Sequence, residues 1–580
     1  MADKPIIFAD ADALPEQVIS LGSMGHNHTG SWRYIRPVYD NKVPPCANRC
    51  PAGTDIERFI GLIEDGRATE AWVALKEENP LTRVCGRVCF HPCETACNRG
   101  RYDRAIAINA LERFAGEHAD PHRLPRPARP PTGKRIAVVG SGPAGLAAAW
   151  YLARMGHQVT VFERAEQPGG MLRYGIPHHR LPREILDEEI DDIRSLGVDI
   201  RCGAAVGGRD WVELAGHHAL FLATGAQRSR RLDIPGEDAA GVMSALDLLR
   251  AVNAGRAPAV GARVAVVGGG NSAVDAARVL VRTGARVEMY YRRGRAEMPA
   301  FDEEVAEAIR EGVTLNLLTA PVRVEVEDGR VTGLTLVRME LGEPDASGRR
   351  RPRPLAGTEH TVVVDSVITA VGELVDAASL PPELAPGDQG VAIDTSSGQT
   401  ARRHTWAGGD VTPAERTVVD AIGAGKRAAV AIDRELMGKD GPVRTVGRGG
   451  AVQMSRYLGA GITHSSYDDS ERVVGFDDLN TAHFTHAERA RRPRLAMEQR
   501  LRGFGEVVGG LAAPQARVES SRCFHCGVCN QCDNCFVFCP DVAIHHRSDG
   551  PGYLLDLDYC KGCGICVKEC PRASLKMVEE

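Results

Sequence analysis

Seventeen cysteines stand in this chain of 580 residues, and their spacing is the first thing that could do chemistry. Cys529, Cys532, Cys535 and Cys539 run as C-x2-C-x2-C-x3-C-P, and Cys560, Cys563, Cys566 and Cys570 repeat the run twenty residues later. In this doubled pattern three thiolates of each run hold one [4Fe–4S] cube and the fourth serves the other cube. The expectation is one cluster on Cys529, Cys532, Cys535 and Cys570, and a second on Cys560, Cys563, Cys566 and Cys539. Cys523 and Cys526 extend the first run upstream and open an alternative frame for its cube.

A second group lies near the other end: Cys46, Cys50, Cys85, Cys89, Cys93 and Cys97. A disulfide framework would be spread through a small secreted domain, whereas two dense groups flanking a long cysteine-poor core read as metal sites in a reducing cytoplasm. Zinc is the rival ligand, because four thiolates suit either metal. Iron–sulfur is favoured because the intervening core carries redox motifs. Cys202 stands alone. With no C-x2-C within 140–440, a route through a redox disulfide has no residues to run on, and Cys202 reads as a small buried apolar side chain.

The core holds two glycine fingerprints. Gly140-Ser141-Gly142-Pro143-Ala144-Gly145 follows the apolar run Ile136–Val139 and opens an alanine-rich helical stretch to Arg154. A second apolar run, Val159–Phe162, ends on Glu163, with Arg164 next. This is a complete dinucleotide-binding βαβ unit. The glycines allow a tight turn, close approach of a pyrophosphate and close helix–strand packing, the helix N-terminus faces the anion, and the acid accepts from a ribose hydroxyl. The second fingerprint, Gly268-Gly269-Gly270-Asn271-Ser272-Ala273, follows Arg263–Val267 and precedes a helix over 272–283 and a strand over 287–291. Twenty-three residues separate Gly140 from Glu163, and the same count from Gly268 reaches Tyr291, followed by Arg292 and Arg293. An acid there would repel a 2′-phosphate, and arginines pair with one bidentately. The first site is therefore assigned to FAD and the second to a nicotinamide nucleotide, NADP ahead of NAD.

The elements that must position these residues follow from the same pattern. Pro168-Gly169-Gly170-Met171 lets the backbone pass beside a large cofactor, and Thr224-Gly225 ends the crossover strand Phe221–Ala226. Val367–Gly372 reads as the second crossover, ending on Gly372. Thr405–Asp410 reads as a buried strand reaching Gly409 and Asp410, and a helix over 417–429 starts at Thr417 and Val418, its N-terminus able to stabilise negative charge on a reduced flavin. The expected fold class is an α/β two-dinucleotide-binding flavoprotein core. An N-terminal α-helical iron–sulfur domain precedes it, and a C-terminal bacterial-ferredoxin-like α+β domain follows. The expected boundaries are 1–130 for the helical domain, 134–245 and 370–440 for the two parts of the FAD domain, and 246–369 for the inserted nucleotide domain. A polar connector over 441–520 with one helical patch, 497–511, leads to the two-cluster domain at 521–580. Residues 119–133 are a proline-rich linker, and residues 1–45 read as irregular, with His26 and His28 in a surface loop.

Net charge is −5, which points neither to nucleic acid nor to an anionic membrane. The N-terminus lacks a basic region and an apolar core of signal-peptide type, and no apolar run is long enough to span a bilayer. The expected location is the cytoplasm.

On CANRCPAGTDI (46–56), VCGRVCFHPCETACNRG (84–100), AINALERF (107–114) and both fingerprints, the chain resembles the small (β) subunit of glutamate synthase and the N-terminal part of dihydropyrimidine dehydrogenase, over roughly 30–440. The resemblance implies a [4Fe–4S] cluster on Cys50, Cys89, Cys93 and Glu112, leaves Cys85 a non-ligand, and assigns Asp410 to the FAD ribityl or pyrophosphate region. Family members carry a second N-terminal cluster whose further C-x2-C lies just upstream. Here that stretch, RPVYDNKVPP, has no cysteine. One N-terminal cluster is therefore expected, with Cys46 and Cys97 orphaned or completed from elsewhere; Cys523 and Cys526 are the bolder candidates to complete them.

The resulting reading is an FAD-dependent NAD(P)H oxidoreductase with an iron–sulfur acceptor. A hydride passes between nicotinamide and FAD, and single electrons pass through [4Fe–4S] clusters to or from a partner enzyme or ferredoxin. No substrate-converting catalytic set stands out, which agrees with chemistry that needs stacking and exclusion of water more than acid–base groups. Three roles compete. One is the NAD(P)-linked subunit of an iron–sulfur enzyme such as a 2-oxoacid:ferredoxin-type oxidoreductase, or a free-standing NAD(P)H:ferredoxin oxidoreductase. Another is the small subunit of NADPH-dependent glutamate synthase, whose plain form lacks the C-terminal domain. The third is a docking module with structural clusters, against which the intact fingerprints argue.

Overall fold

The computed structural model describes residues 10, 28–126, 128–208, 210–214, 216–345, 348–384, 387, 390–440, 443, 445–446, 451–459 and 472–580. His26 lies outside them. The chain divides into two compact units, one of Met1–Pro44, Ser466–His486 and Phe524–Glu580, the other of Pro45–Ser465 and Ala487–Cys523.

The smaller unit is α+β. Strand Ile35–Tyr39 pairs antiparallel with Leu575–Glu579, in register from Ile35 opposite Glu579 to Tyr39 opposite Leu575. The segment before residue 45, read from sequence as irregular, thus supplies an edge strand, where Pro37 is tolerated because an edge residue need not donate on both sides. A hairpin of Ile544–His546 and Tyr553–Leu555 and two four-residue helices, Asn534–Val537 and Ile565–Lys568, complete the frame. Its small core holds Ile544, Tyr553 and Leu575 together with Cys535, Cys566 and Cys570. Chain 472–486 joins this unit through Val43, whose N–H donates to the Arg472 carbonyl at 3.0 Å and whose carbonyl accepts from Val474 at 3.1 Å. His28, expected at the surface, is exposed and stacks on Tyr559 with ring centroids 4.9 Å apart.

The larger unit begins with six short helices, Pro45–Arg49, Ile56–Glu64, Ala68–Glu78, Thr82–Val88, Pro92–Thr95 and Ile108–Glu117. Asp55 caps the second by accepting from the Arg58 N–H, and Phe59, Ile60 and Ile63 form its buried stripe. The FAD-type sheet is all parallel, in the order Thr405–Ala407, Ala219–Leu222, Arg135–Val139, Gln158–Phe162, Asp199–Arg201. Its strands are fully apolar at Ile136–Val139 and Ala219–Leu222 because both of their faces are buried, alternate residues entering two separate cores. A second parallel sheet runs Thr314–Leu317, Arg286–Tyr291, Arg263–Val267, Ser366–Thr369, Val242–Ser244. The strand expected to end at Gly372 therefore belongs to the nucleotide sheet, which also begins at 242, a few residues before the expected boundary.

Two features depart from the sequence reading. A four-stranded antiparallel sheet of Thr319–Glu327, Arg330–Pro344, Arg350–Pro354 and His360–Val363 follows the nucleotide βαβ unit. And the helix expected over 497–511 is only Met497–Leu501. Gly503, Gly505, Gly509 and Gly510 remove the propensity to continue, and the chain instead runs extended, with Arg494 bridging Val508, before a new helix at Ala513–Ser521 packs against Ile56–Glu64. The expected polar connector is thus divided, with 487–523 built into the larger unit. Among the described residues no helix is long and apolar enough to cross a membrane.

Candidate redox centres

The FAD-type strand, turn and helix deliver the first fingerprint to one large cavity of about 1210 Å3. Gly140, Gly142, Pro143 and Ala144 line it, as do Glu163, Arg164, Gly170 and Met171. Thr224, Gly225, Gly409, Asp410, Thr417 and Val418 close the opposite side. Gly145 lies beneath the lining: a Cβ there would stand 2.0 Å from the Gly140 carbonyl oxygen, so only glycine lets helix and turn pack. A Cβ on Gly142 would meet nothing within 4 Å and would project into open space, the room a pyrophosphate needs.

Glu163 is buried and organises the turn, accepting from Ser141 N at 2.9 Å, Ser141 Oγ at 2.6 Å and Ala165 N at 2.8 Å. Thr224 Oγ1 is buried without a hydrogen-bond partner. Burial pushes the Asp410 carboxyl up to about 6, against the opposing pull of Arg416. An unsatisfied hydroxyl, a desolvated acid and an open glycine cradle around one cavity are what a hydroxyl-rich dinucleotide would satisfy. The 19-residue helix Val418–Leu436, capped by Thr417, directs its N-terminus at the same cavity. The residues therefore fit FAD.

The second fingerprint enters beside it. Asn271 and Ser272 line the cavity, and Asn271 Oδ1 accepts from the Phe301 N–H at 3.2 Å. Gly268, Gly270, Ala273, Gly372, Arg292 and Arg293 are not among its lining residues. Arg292 is exposed, whereas Arg293 is buried and donates to Asp345 Oδ2 at 2.8 Å and to the Arg350 carbonyl at 2.9 Å. The two arginines, equivalent in sequence, are not equivalent in the fold.

Sequence reasoning missed Val88 and Phe90. Both line the cavity, one on each side of Cys89 in the chain. Phe90 stacks on Phe301, ring centroids 5.4 Å apart, which seats the iron–sulfur helical domain against the nucleotide side of the cavity. Only their adjacency to Cys89 could have flagged them.

Behind that wall Cys50, Cys89, Cys93 and Glu112 lie together. Burial raises the Cys89 thiol, and the neighbouring charges of Glu112 and Cys50 add to it; Cys93 feels Cys50 and Cys89 in the same way. Burial pushes Glu112 up to about 8, and Asn79 Nδ2 donates to its carboxylate at 3.1 Å. Cys85 is buried near Glu112 and Cys89 as well. Buried groups that destabilise one another's charge are the donor set a cationic iron core would relieve. Cys46, Cys97 and Cys523 are partly buried against the same core. Arg99 Nη1 donates to the Arg522 carbonyl at 2.8 Å, which ties the chain beside Cys523 to that beside Cys97. Cys526 belongs to the other unit. Cys202 is only partly buried, less than the sequence reading expected.

In the smaller unit Cys529, Cys532, Cys535 and Cys570 line one small cavity. Tyr39 Oη lies 3.3 Å from Cys535 Sγ, from a strand the sequence reading had left out of this domain. Burial and then the charges of Cys560, Cys563 and Cys539 push the Cys566 thiol up to about 12, so those four sulfurs are neighbours too. Ala543 N donates to Cys539 Sγ at 3.3 Å. Cys570 thus lies with Cys529, Cys532 and Cys535, and Cys539 with Cys560, Cys563 and Cys566. Among the described residues no three of His, Cys, Asp or Glu converge as a mononuclear ion requires.

Comparison with known proteins decides the family. The pyridine nucleotide-disulphide oxidoreductase family matches residues 134–429, slightly more than half of the chain. The chain belongs to that family. Residues 38–124 match dihydropyrimidine dehydrogenase domain II, 4Fe-4S cluster, and residues 553–576 match the 4Fe-4S binding domain. The chain is 38% identical to the beta subunit of NADP(+)-dependent formate dehydrogenase of Moorella thermoacetica over 83% of this chain and 70% of that protein. It is 37% identical to the beta subunit of NADPH-Fe(3+) oxidoreductase of Geobacter sulfurreducens over 85% of this chain and 76% of that one. The small chain of NADPH glutamate synthase of Escherichia coli is 36% identical over 67% of this chain and 87% of its own length. The expected resemblance and fold class hold. The chain is an electron-transfer oxidoreductase that uses FAD, a nicotinamide nucleotide and [4Fe–4S] clusters.

Proposed function

We propose that this chain is the NADPH-linked electron-transfer subunit of a larger iron–sulfur enzyme, located in the cytoplasm. The observation that carries the reading is the position of Cys89: its two chain neighbours, Val88 and Phe90, form part of the wall of the cavity that both nucleotide fingerprints enter. FAD, when bound, exchanges a hydride with the nicotinamide and single electrons with iron–sulfur clusters. The chain's own residues supply the rest. Gly140, Gly142 and the helix from Pro143 bind the pyrophosphate, Glu163 orients the ribose, and Asp410 and Thr224 accept and donate to the remaining hydroxyls. Thr417 and Val418 present a helix N-terminus that stabilises negative charge. Phe90 and Phe301 exclude water at the nucleotide side.

The proposed cluster ligands are those read from sequence: Cys50, Cys89, Cys93 and Glu112; Cys529, Cys532, Cys535 and Cys570; and Cys560, Cys563, Cys566 and Cys539. The neighbourhood of sulfurs in each set supports this assignment. Two of the relatives above are named as beta subunits, which supports a role inside a complex. Their names point to formate dehydrogenation and Fe(3+) reduction, and a 2-oxoacid:ferredoxin-type partner is a third member of the same chemical class, enzymes that exchange low-potential single electrons. The glutamate synthase role is the weaker one, because the 4Fe-4S match at 553–576 lies beyond the region shared with the resemblance.

The test is anaerobic native purification with mass-spectrometric identification of what travels with the chain. A co-purifying catalytic subunit with its own iron–sulfur or metal site is the expected result. Isolation of the chain alone, with full NADPH:ferredoxin activity, would instead make it a free-standing oxidoreductase.

A further inference from the structure

Hydrogen bonds to iron-bound sulfur stabilise the more negative, reduced cluster and raise its potential. The smaller unit distributes such donors unequally. Pairing of Ile35–Tyr39 with Leu575–Glu579 sets Tyr39 opposite Leu575, and Asp40 N donates to the Ser574 carbonyl at 2.8 Å. Tyr39 and Ser574 are thereby held side by side, and both line the small cavity of Cys529, Cys532, Cys535 and Cys570. Tyr39 Oη lies 3.3 Å from Cys535 Sγ, and Ser574 Oγ lies 3.3 Å from Cys570 Sγ. A cysteine that binds iron has lost its S–H proton, so at both contacts the hydroxyl is the donor. The Tyr39 ring is fixed by stacking on Tyr553, centroids 5.9 Å apart, and the Tyr553 hydroxyl is fixed in turn by donating to Asp533 Oδ1 at 2.8 Å. Arg572 lines the same cavity; it is buried, its Nε has no hydrogen-bond partner, and its guanidinium lies over the Phe484 ring. The other four sulfurs differ. Among the described residues no hydroxyl reaches Cys539, Cys560, Cys563 or Cys566, and Cys539 Sγ takes the backbone N–H of Ala543 at 3.3 Å. The cations beside that set, Arg33 and Lys561, are paired with Glu580 and Asp541.

We propose that Tyr39 and Ser574, by hydrogen bonds to ligand sulfurs, and Arg572, by its charge, make the cluster of Cys529, Cys532, Cys535 and Cys570 the higher-potential member of the C-terminal pair. The proposal rests on the ligand assignment proposed above and adds what sets the two clusters apart. It also gives the N-terminal strand Ile35–Tyr39 a part in the redox unit beyond pairing with its edge.

The test is an anaerobic redox titration of the full-length, flavin- and cluster-loaded protein, followed by electron paramagnetic resonance. The signal altered in Cys535→Ser marks the first cluster, and the signal altered in Cys563→Ser marks the second. In wild type the first should appear at the higher potential. Tyr39→Phe keeps the ring and removes only the hydroxyl. It should lower the reduced-to-oxidised ratio of the first cluster about tenfold at a fixed potential, a fall of about 59 mV for one electron, and leave the second unmoved. Ser574→Ala should shift the same signal in the same direction, and it carries the test alone if Tyr39→Phe loses iron. Midpoints unmoved in both variants, or a first cluster that titrates below the second in wild type, would overturn the proposal while leaving the ligand assignment in place. Cys535→Ser protein with wild-type iron and an unchanged spectrum would overturn the ligand assignment itself.

Discussion

Lys426 donates from Nζ to the carbonyl of Ala52 at 2.7 Å, two residues beyond Cys50 in the chain. The same ammonium pairs with the Glu78 carboxylate and donates to the Glu78 carbonyl at 3.1 Å, and both side chains are buried. One lysine on the helix that faces the flavin cavity thereby fixes the loop that carries a cluster cysteine. Desolvation lowers the lysine below its ordinary value, and the Glu78 carboxylate beside it opposes that.

Removing one partner of such a pair strands the other in a dry site. Lys426→Met should cost about 3–5 kcal/mol, read as a lower denaturant midpoint of the holoprotein, and Lys426→Met combined with Glu78→Gln should recover part of it. A single substitution within about 0.5 kcal/mol of wild type would show that the contact contributes little.

The N-terminal cysteines can be sorted by iron analysis. Cys50→Ser, Cys89→Ser and Cys93→Ser should each remove one cubane, about four irons, and keep the flavin. Glu112→Gln should keep the cluster because the amide oxygen still coordinates, whereas Glu112→Ala should lose it.

The C-terminal pair carries a crosswise signature. Cys570→Ser should damage the cluster of Cys529, Cys532 and Cys535 and not that of the run in which Cys570 lies. Cys539→Ser should damage the cluster of Cys560, Cys563 and Cys566. Electron paramagnetic resonance of each variant, reduced chemically, separates the two, and damage confined to the mutated run would refute the exchange.

In the nucleotide domain Glu311 accepts from Arg278 at 2.9 and 2.8 Å and from Arg282 at 2.7 and 2.9 Å. Burial pushes its carboxyl up, but these guanidiniums outweigh burial and hold it at about 2. A depressed folded pKa gives stability that is fully present above the ordinary value of 4.5 and is lost as pH falls from there toward about 2. Glu311→Gln should flatten the pH dependence of unfolding in that window and cost about 3–5 kcal/mol at neutral pH, since Arg282 loses its carboxylate partner and Arg278 keeps only Glu304. An unchanged acid limb would show that Glu311 does not govern it.

Much of this was legible because period and spacing are local. Gly140 to Glu163 and Gly268 to Tyr291 read as βαβ units since each strand is an unbroken apolar run and each turn needs glycine. The doubled cysteine run carries its expected pairing in its own spacing. What was not legible depends on chain segments far apart in sequence. Ile35–Tyr39 looked irregular because its partner, Leu575–Glu579, is more than five hundred residues away. Arg293 looked like a phosphate ligand because nothing local shows that Asp345 and Arg350 claim it. The run Met497–Leu511 has helical apolar spacing, and its four glycines decide otherwise once extended pairing is available.

The account's central claim is that electrons from NADPH reach the clusters through the cavity that Cys89 borders. The most direct measurement is rapid-freeze electron paramagnetic resonance of the anaerobic, fully loaded protein mixed with NADPH, beside the optical bleaching of its flavin. The account predicts that reduced-cluster signals follow flavin bleaching in wild type, and that Cys89→Ser bleaches normally but fails to pass electrons on. Clusters that stay oxidised in wild type while the flavin is fully bleached, or clusters in Cys89→Ser reduced at the wild-type rate, would contradict it.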